Sequence, residues 1–452
     1  MKIKEEPVVL RQTIGLCPVC RKEVKAEVLE NEDEICLSKC CPEHGKTQDP
    51  LAKGNFYKDL EKYYFPLMSI NEKRKEGNAE LLVTFKCNMD CGVCYLGDFR
   101  RQLIDFEPTF EEIENTVKAS KDKIFIISGG EATCREDLFD IIRMLKKHKK
   151  VVGLNTNGIK LAELEYAWEL KNAGIDEVNL QFSGFSPKAE EYLRGKDFLP
   201  FKLKALENLK NSGIPTRMNV LIAKGVNDEQ IGGIIKYVSE NKFIKMVNFG
   251  GLLFFGRAIN FPKEQYVMPD DMLRLAEEQS GGKIKRKYAY LFKKLELALS
   301  SFMDNSNCIY WLGYLVVRCG DKYEPIDKFL DLEAIEPYLD KYRLIYLRNR
   351  FLAKIYLVMM GLPIAIFHLR ISFVLIDFFL VGISFLFKAN YFAKSKRFIY
   401  FLFSVECDPY RMDFAIHKNC PHKSMFFFDR VNHEFVKAKE PIIMGPKWMY
   451  WE

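Results

Sequence analysis

The chain has 452 residues, a formal charge of +7 from 68 basic and 61 acidic side chains, and 48% apolar residues. That composition excludes a disordered chain, and so small a charge over this length excludes a broadly basic nucleic-acid footprint. Thirteen cysteines, an odd number with no secretory signal ahead of them, predict metal ligation in a reducing, cytoplasmic compartment rather than disulfides.

The first predicted element is a small metal module over residues 1–75. Cys17-Pro-Val-Cys20 and Cys41-Pro-Glu-His44 are paired ligands on two turns, the spacing of a closed tetrahedral zinc ribbon or rubredoxin-like knuckle. Cys36 and Cys40 compete for the fourth position, and spacing does not choose among them. The mixed charges of this stretch (Lys22, Glu23, Lys25, Glu27, Glu30, Glu32, Asp33, Glu34) argue against a nucleic-acid module.

From residue 76 to 270 the pattern alternates. Short runs rich in Val and Ile predict strands at 81–85, 123–128, 151–155, 177–182, 216–222 and 244–249. Helical patterns lie near 110–120, 137–149, 161–173, 201–212 and 228–241. Thr109-Phe-Glu-Glu112 is a capping box for the first of these, and Gly174 and Gly213 sit where two others should stop. Strands alternating with helices predict parallel pairing and right-handed crossovers. The fold class is therefore α/β: a partial parallel (β/α)6 barrel with a small N-terminal metal module and an apolar helical C-terminal region.

Ligand chemistry falls at the C-terminal ends of these strands, where barrels of this kind place catalysis. After the first comes Cys87-Asn-Met-Asp-Cys91-Gly-Val-Cys94. Three thiols this close suit a cuboidal iron–sulfur cluster with one iron left open. They also suit three-quarters of a structural zinc site completed by a distant ligand. After the second strand comes Ser128-Gly129-Gly130-Glu131, whose glycines permit close backbone approach and whose carboxylate can accept from an ammonium group. After the third comes Asn155-Thr156-Asn157-Gly158, and after the fourth Gln181-Phe182-Ser183-Gly184.

With those residues in view, the chain resembles the radical S-adenosylmethionine (SAM) superfamily. Within it, Cys17 to Cys20, Lys39 to Gly45, Gly129 to Leu138, Gln181 to Gly184, Gly225-Val-Asn227-Asp228 and Gly256-Arg257 resemble archaeal tetraether lipid synthase and its relatives. The resemblance covers about residues 8–340. It implies a 4Fe–4S cluster on Cys87, Cys91 and Cys94, with SAM on the open iron. It also implies that Gly129, Gly130 and Glu131 position the methionine end of SAM, and Asn155 and Asn157 its nucleoside end. Gln181, Arg217 and Arg257 are candidates for the SAM carboxylate or a lipid phosphate, arginine suiting such anions by its bidentate geometry. The N-terminal site is then a structural zinc or a mononuclear iron that relays electrons from a reducing donor protein. An auxiliary iron–sulfur cluster is implied too, but Cys308, Cys319, Cys407 and Cys420 are far apart. Val93 replaces the aromatic common before the third cysteine, and Ser183 the usual acidic residue.

The remaining segments are an extension at 271–350, an apolar hairpin at 351–404 and a terminal segment at 405–452. Runs 355–369 and 371–387 are the most apolar of the chain, interrupted by Pro363, Arg370 and Asp377. Each is shorter than the roughly 20 residues that span a bilayer. They read either as buried helices, with His368, Arg370 and Asp377 paired inside, or as a membrane-surface hairpin anchored by Lys388, Lys394, Lys396 and Arg397. Taken with the resemblance, the expectation is an enzyme joining or bridging hydrocarbon chains of membrane ether lipids, peripheral to the membrane. The rivals are a radical SAM methylase of a pterin or other small substrate and a non-catalytic metal-binding scaffold.

Overall fold

The computed structural model describes residues 7–32, 34–53, 55–68, 78–105, 107–254, 256–304, 307–319, 322–361, 398–404, 410–417, 425–429 and 434–437. In chain order these form β1 (Val8–Leu16), β2 (Glu23–Asn31), β3 (Glu34–Cys41), β4 (Gly45–Lys53), α1 (Asn55–Met68), β5 (Asn78–Thr84), α2 (Phe99–Gln102) and α3 (Phe110–Ala119). Next come β6 (Ile124–Gly129), α4 (Leu138–Lys147), β7 (Val151–Thr156), α5 (Leu164–Ala173), β8 (Glu177–Phe182), α6 (Pro187–Arg194), α7 (Leu199–Ser212), β9 (Thr216–Ile222), α8 (Ile231–Glu240) and β10 (Ile244–Gly251). The chain continues through α9 (Pro269–Gln279), α10 (Arg286–Phe302), β11 (Trp311–Cys319), β12 (Lys322–Pro325), α11 (Leu332–Arg348), α12 (Arg350–Tyr356), β13 (Phe398–Ser404), α13 (Phe414–His417), β14 (Met425–Asp429) and β15 (Glu434–Lys437).

Two compact units divide the chain. The first takes residues 1–75, 268–391 and 400–421, and the second 76–267, 392–399 and 422–452. In the first, β1 to β4 form an antiparallel meander in sequence order. Alternation along β2 buries Val24, Ala26 and Val28 while Glu23 and Lys25 face water. Arg11 and Thr13 of β1 hold the buried Asp413 carboxylate, Thr13 Oγ1 donating at 2.7 Å.

In the second unit β5 to β10 pair in parallel, each with the next. Strand order follows chain order, so right-handed crossovers carry the intervening helices to one face. That face is apolar: Phe125, Ile127, Val152, Leu154, Val178, Leu180, Met218, Val220, Val247 and Phe249 are all essentially inaccessible to water. β14 adds a further parallel strand beside β5, and β15 pairs antiparallel with it. The predicted capping box is present, Thr109 N–H donating to Glu112 Oε2 at 2.7 Å and Glu112 N–H to Thr109 Oγ1 at 3.3 Å. Gly174 and Gly213 end α5 and α7 in the left-handed region at φ 98° and 65°.

Among the described residues no helix is long and apolar enough to cross a membrane. Residues 362–397, which hold most of both apolar runs with His368, Arg370, Asp377, Lys388, Lys394, Lys396 and Arg397, lie outside the described residues, as do Cys407 and Cys420.

Candidate active site

The cysteine loop leaves the C-terminal end of β5 and is fastened on every side. Met89 N–H points at Cys87 Sγ at 3.4 Å, and Cys94 N–H returns to Cys91 O at 3.3 Å. Leu82, Phe85 and Leu96 form an apolar collar against which Cys94 packs. Val93 N–H donates to Leu193 O near the end of α6 at 3.4 Å. Burial pushes the Cys87 thiol up to about 12 and raises Cys94 as well, against the pull of backbone N–H groups. Cys87 and Cys94 each feel the charge of Cys91. Three thiols on one short loop, two of them desolvated, are a donor set that fits an iron–sulfur cluster.

The diglycine turn sits directly against this loop. Gly130 N–H donates to Thr84 O at 2.8 Å and Glu131 N–H to Lys86 O at 2.7 Å, one residue before Cys87. A Cβ at Gly129 would stand 2.2 Å from Thr84 O, and one at Gly130 2.4 Å from Lys86 O. Only glycine permits the two strand ends to meet so closely.

Glu131 does something other than the sequence suggests. Its carboxylate is buried and accepts from Thr133 N (3.2 Å), Thr133 Oγ1 (2.7 Å), Thr156 Oγ1 (2.7 Å) and Asn157 N (2.7 Å). Burial raises its pKa, and those donors oppose the rise. Oε1 takes three of these donors and Oε2 one, so the carboxylate ties the turn after β6 to the turn after β7. Asn157 completes the link, its Nδ2 donating to Asn88 Oδ1 at 2.8 Å beside Cys87.

Arg257 clasps the loop from the turn after β10. It donates from Nη1 to Asp90 Oδ1 at 2.7 Å and from Nε to Asp98 Oδ1 at 2.9 Å, while its N–H bonds Cys94 O at 3.0 Å. Gly256 approaches so near that a Cβ would lie 2.4 Å from Cys94 O. The Arg257 guanidinium is therefore already paired with Asp90 and Asp98, which corrects the expectation that it offers itself to a carboxylate or phosphate.

Gln181 is also engaged within the protein. Its Oε1 accepts from Lys202 Nζ at 2.7 Å, and its Nε2 donates to Ser183 Oγ at 3.2 Å. Lys202 is wholly buried, pairs with Glu190, and is pushed down to about 8 by burial and the nearby Arg194. Asn155 points into the sheet's other face, donating from Nδ2 to Glu80 Oε1 at 3.1 Å. Arg217 is not brought to the loop. It is the second residue of β9, salt-bridged through Nη2 to Glu177 Oε2 at 2.9 Å. It therefore lies about five residues, roughly 16 Å, below the strand's C-terminal end.

Several neighbours carried no sequence signal. Arg100 is buried and donates from Nη2 to Met89 O at 3.2 Å, placing its charge where it favours ionised Cys87 and Cys94. Cys134 lies near Glu131 and the Asn88 backbone, its thiol raised by burial. Arg100 belongs to no spaced motif, and Cys134, though inside the Gly129 to Leu138 segment, was not singled out there as a candidate.

The N-terminal cluster is resolved by distance. Cys17 Sγ lies 3.7 Å from His44 Nδ1, Cys41 Sγ 3.5 Å from the same atom, and Cys20 Sγ 3.9 Å from Cys41 Sγ. All four ligand atoms fall within 4.8 Å of one another, a Cys3His set that fits a tetrahedral ion. Burial works against ionising Cys17, but the N–H groups of Cys20 and Val19 and the neighbouring thiols pull it down to about 7. Cys36 lies five residues back along β3 and donates to Glu34 at 3.4 Å, while Cys40 is exposed on the opposite side from Cys41. Neither competes. Cys308 is buried and Cys319 partly so, and neither joins this group.

Comparison with known proteins agrees with this geometry. Residues 81–238 match the family model of the radical SAM superfamily, and residues 9–53 match the HMPTM N-terminal zinc ribbon domain. The 7,8-dihydro-6-hydroxymethylpterin dimethyltransferase of Methanocaldococcus jannaschii is 32% identical over 362 residues, 72% of this chain and 71% of that one. A probable GTP 3′,8-cyclase of Pyrococcus abyssi is 31% identical over 176 residues, 38% of this chain and 56% of that one. Among solved structures, SuiB of Streptococcus suis bound to its precursor peptide gives a TM-score of 0.40 at 18% identity, covering 49% of each chain.

The lipid expectation is overturned here. The long relative, which shares both ribbon and barrel, is named for methyl transfer to a pterin, not for coupling hydrocarbon chains. The motifs that carried the resemblance are strand-end turns and ribbon ligands common to both kinds of enzyme, and they do not distinguish one substrate from the other. Nothing among the comparisons or the described residues supports a lipid substrate or membrane association. With a relative of this identity and span, the chain belongs to the radical SAM superfamily and takes that superfamily's 4Fe–4S cluster, SAM and reducing electron donor.

Proposed function

We propose that this protein is a radical SAM methyltransferase of a pterin or a closely similar small heterocycle. The observation that carries the reading is the 32% identity to a pterin dimethyltransferase over ribbon and barrel together. A pterin and the guanine of GTP also share a 2-amino-4-oxopyrimidine edge, so the substrates named for both relatives present the same hydrogen-bond donors.

In this reading Cys87, Cys91 and Cys94 would hold the cluster, with SAM bound beside it. When bound, cluster and SAM supply one-electron cleavage and hydrogen abstraction, chemistry that belongs to the cofactor. The chain's own residues orient and shield. Gly129 and Gly130 leave backbone free of side chains beside Cys87, where the methionine end of SAM fits. Glu131 keeps that turn and the Asn157 turn in register, and Arg257 and Arg100 hold the loop closed and electrically favourable to thiolate. Asn157 lies where the nucleoside end would approach. In the ribbon, Cys17, Cys20, Cys41 and His44 take a structural zinc, a closed set with no open position.

The test is anaerobic reconstitution of the full chain, reduction, and incubation with 6-hydroxymethyl-7,8-dihydropterin and methyl-labelled SAM. Labelled methyl groups on the pterin, read by mass spectrometry, are the expected result. Cleavage of SAM with no label on any pterin overturns the reading.

A further inference from the structure

The helix-free face of the β5–β10 sheet is unusual for the middle of a six-stranded parallel sheet. It carries Glu80, Asn155, Asn179, Asn219 and Asn248, with Asn155 directly opposite Asn179 and Asn219 opposite Asn248 in the strand register. Asn155, Asn219 and Asn248 stay partly exposed although strands flank them on both sides. Space therefore stands in front of this face, and beside Ile126 its lining carries carboxamides and a carboxylate where a packed barrel has apolar filling throughout.

The hydrogen bonds give the row a direction. Glu80 Oε1 accepts from Asn155 Nδ2 at 3.1 Å, which fixes Asn155 with its oxygen toward β8. Asn155 Oδ1 in turn accepts from Asn179 Nδ2 at 2.8 Å. The carboxylate thus orients both amides in relay. At the end of the relay Asn179 Oδ1 is buried, on a side chain only 8% exposed, and meets no donor among the described residues. A buried acceptor left without a donor is destabilising, so the site favours a ligand that brings an N–H.

We infer that the Glu80–Asn155–Asn179 row is a binding subsite for the donor edge of a planar nitrogen heterocycle, an aminopyrimidine carrying N–H groups. The inference rests on the methyltransferase reading for its substrate class, and it names the residues that read that substrate. The row offers acceptors at Glu80 and Asn179. A 2-amino-4-oxopyrimidine answers them with its ring N–H and exocyclic amine, whereas a 2,4-dioxo ring replaces the amine with a carbonyl and meets Asn179 Oδ1 with a like acceptor.

The experiment uses the reconstituted full chain with SAM present and measures binding by the fluorescence of 6-hydroxymethylpterin, against 6-hydroxymethyllumazine and guanosine triphosphate. The wild-type chain is expected to bind the pterin at least tenfold more tightly than the lumazine. Asn179→Leu and Glu80→Gln are expected to weaken pterin binding tenfold or more while SAM binding and cluster absorbance persist. An unchanged circular dichroism spectrum and melting temperature guard against a merely misfolded leucine variant. Equal binding of pterin and lumazine, or variants that bind the pterin like wild type, overturns the subsite. Binding of guanosine triphosphate, but no pterin, through these same residues keeps the subsite and removes the pterin reading. Binding of no ring of either kind removes both.

Discussion

Arg257 and Arg217 look interchangeable in the sequence, and their surroundings make them opposites. Arg257 ties Asp90, Asp98 and the carbonyl of Cys91 into one clasp around the cysteine loop. Arg257→Ala is expected to leave the fold intact but halve, or worse, the iron retained per chain after reconstitution and gel filtration. Arg217→Ala is expected to retain iron normally and to lower unfolding stability instead. It removes the ion pair of the buried Glu177 carboxylate, a loss of about 2–3 kcal/mol given that the arginine is itself partly exposed. Equal iron loss in both variants would remove the distinction. The ribbon offers a parallel contrast: Cys41→Ser is expected to abolish the bound zinc and Cys40→Ser to keep it, read as metal per chain, because only Cys41 faces His44. The cysteine triplet, the diglycine and the paired ligands were legible because their spacing is itself the chemistry. Arg100, Lys202 and the true partners of Glu131 were not, since each is defined by residues distant in sequence.

At the scale of elements, the junction of β5 and β6 is where backbone geometry matters most. Gly130→Ala is expected to break both the turn and the cluster loop, because the added methyl would lie 2.4 Å from the Lys86 carbonyl oxygen and 2.6 Å from that of Phe85. Gly213→Ala is the control. Unlike Gly130 it is left-handed, at φ 65°, but a Cβ there meets nothing within 4 Å, so it should cost about 1–2 kcal/mol in unfolding and leave iron binding unchanged. Thermal melts with parallel iron analysis separate the two. Hydrophobic alternation gave all six parallel strands and the helices between them to within a few residues, as with 216–222 for β9. It missed α6, whose low apolar content hides it between β8 and α7, although Ser186 caps it and Pro187 opens it.

For the molecule as a whole, Lys202 makes stability depend on pH. Burial pushes its pKa down to about 8 in the folded chain, while the unfolded chain holds the proton to about 10.4. Between those values the unfolded state binds more protons, so unfolding free energy should rise with pH across that window. Its contribution is fully present above the unfolded value and lost as pH falls through about 8. Lys202→Met should flatten this rise in denaturant titrations taken at several pH values; an unchanged slope would show that Glu190 keeps the ammonium charged throughout.

Sequence by itself determined the α/β class, the six parallel strands, the placement of ligand chemistry at their C-terminal ends and the three-thiol set. Each of these is written in local spacing and periodicity. Only the tertiary structure decided that Glu131 fastens two turns, that Arg257 locks the cluster loop, that Cys41 and His44 rather than Cys36 or Cys40 close the ribbon, and that Asn179 has an acceptor unmet among the described residues. The physical reason is common to all four. A ligand set or a hydrogen bond is a matter of angstroms in space, and the chain fixes those distances only once distant strands have been laid side by side.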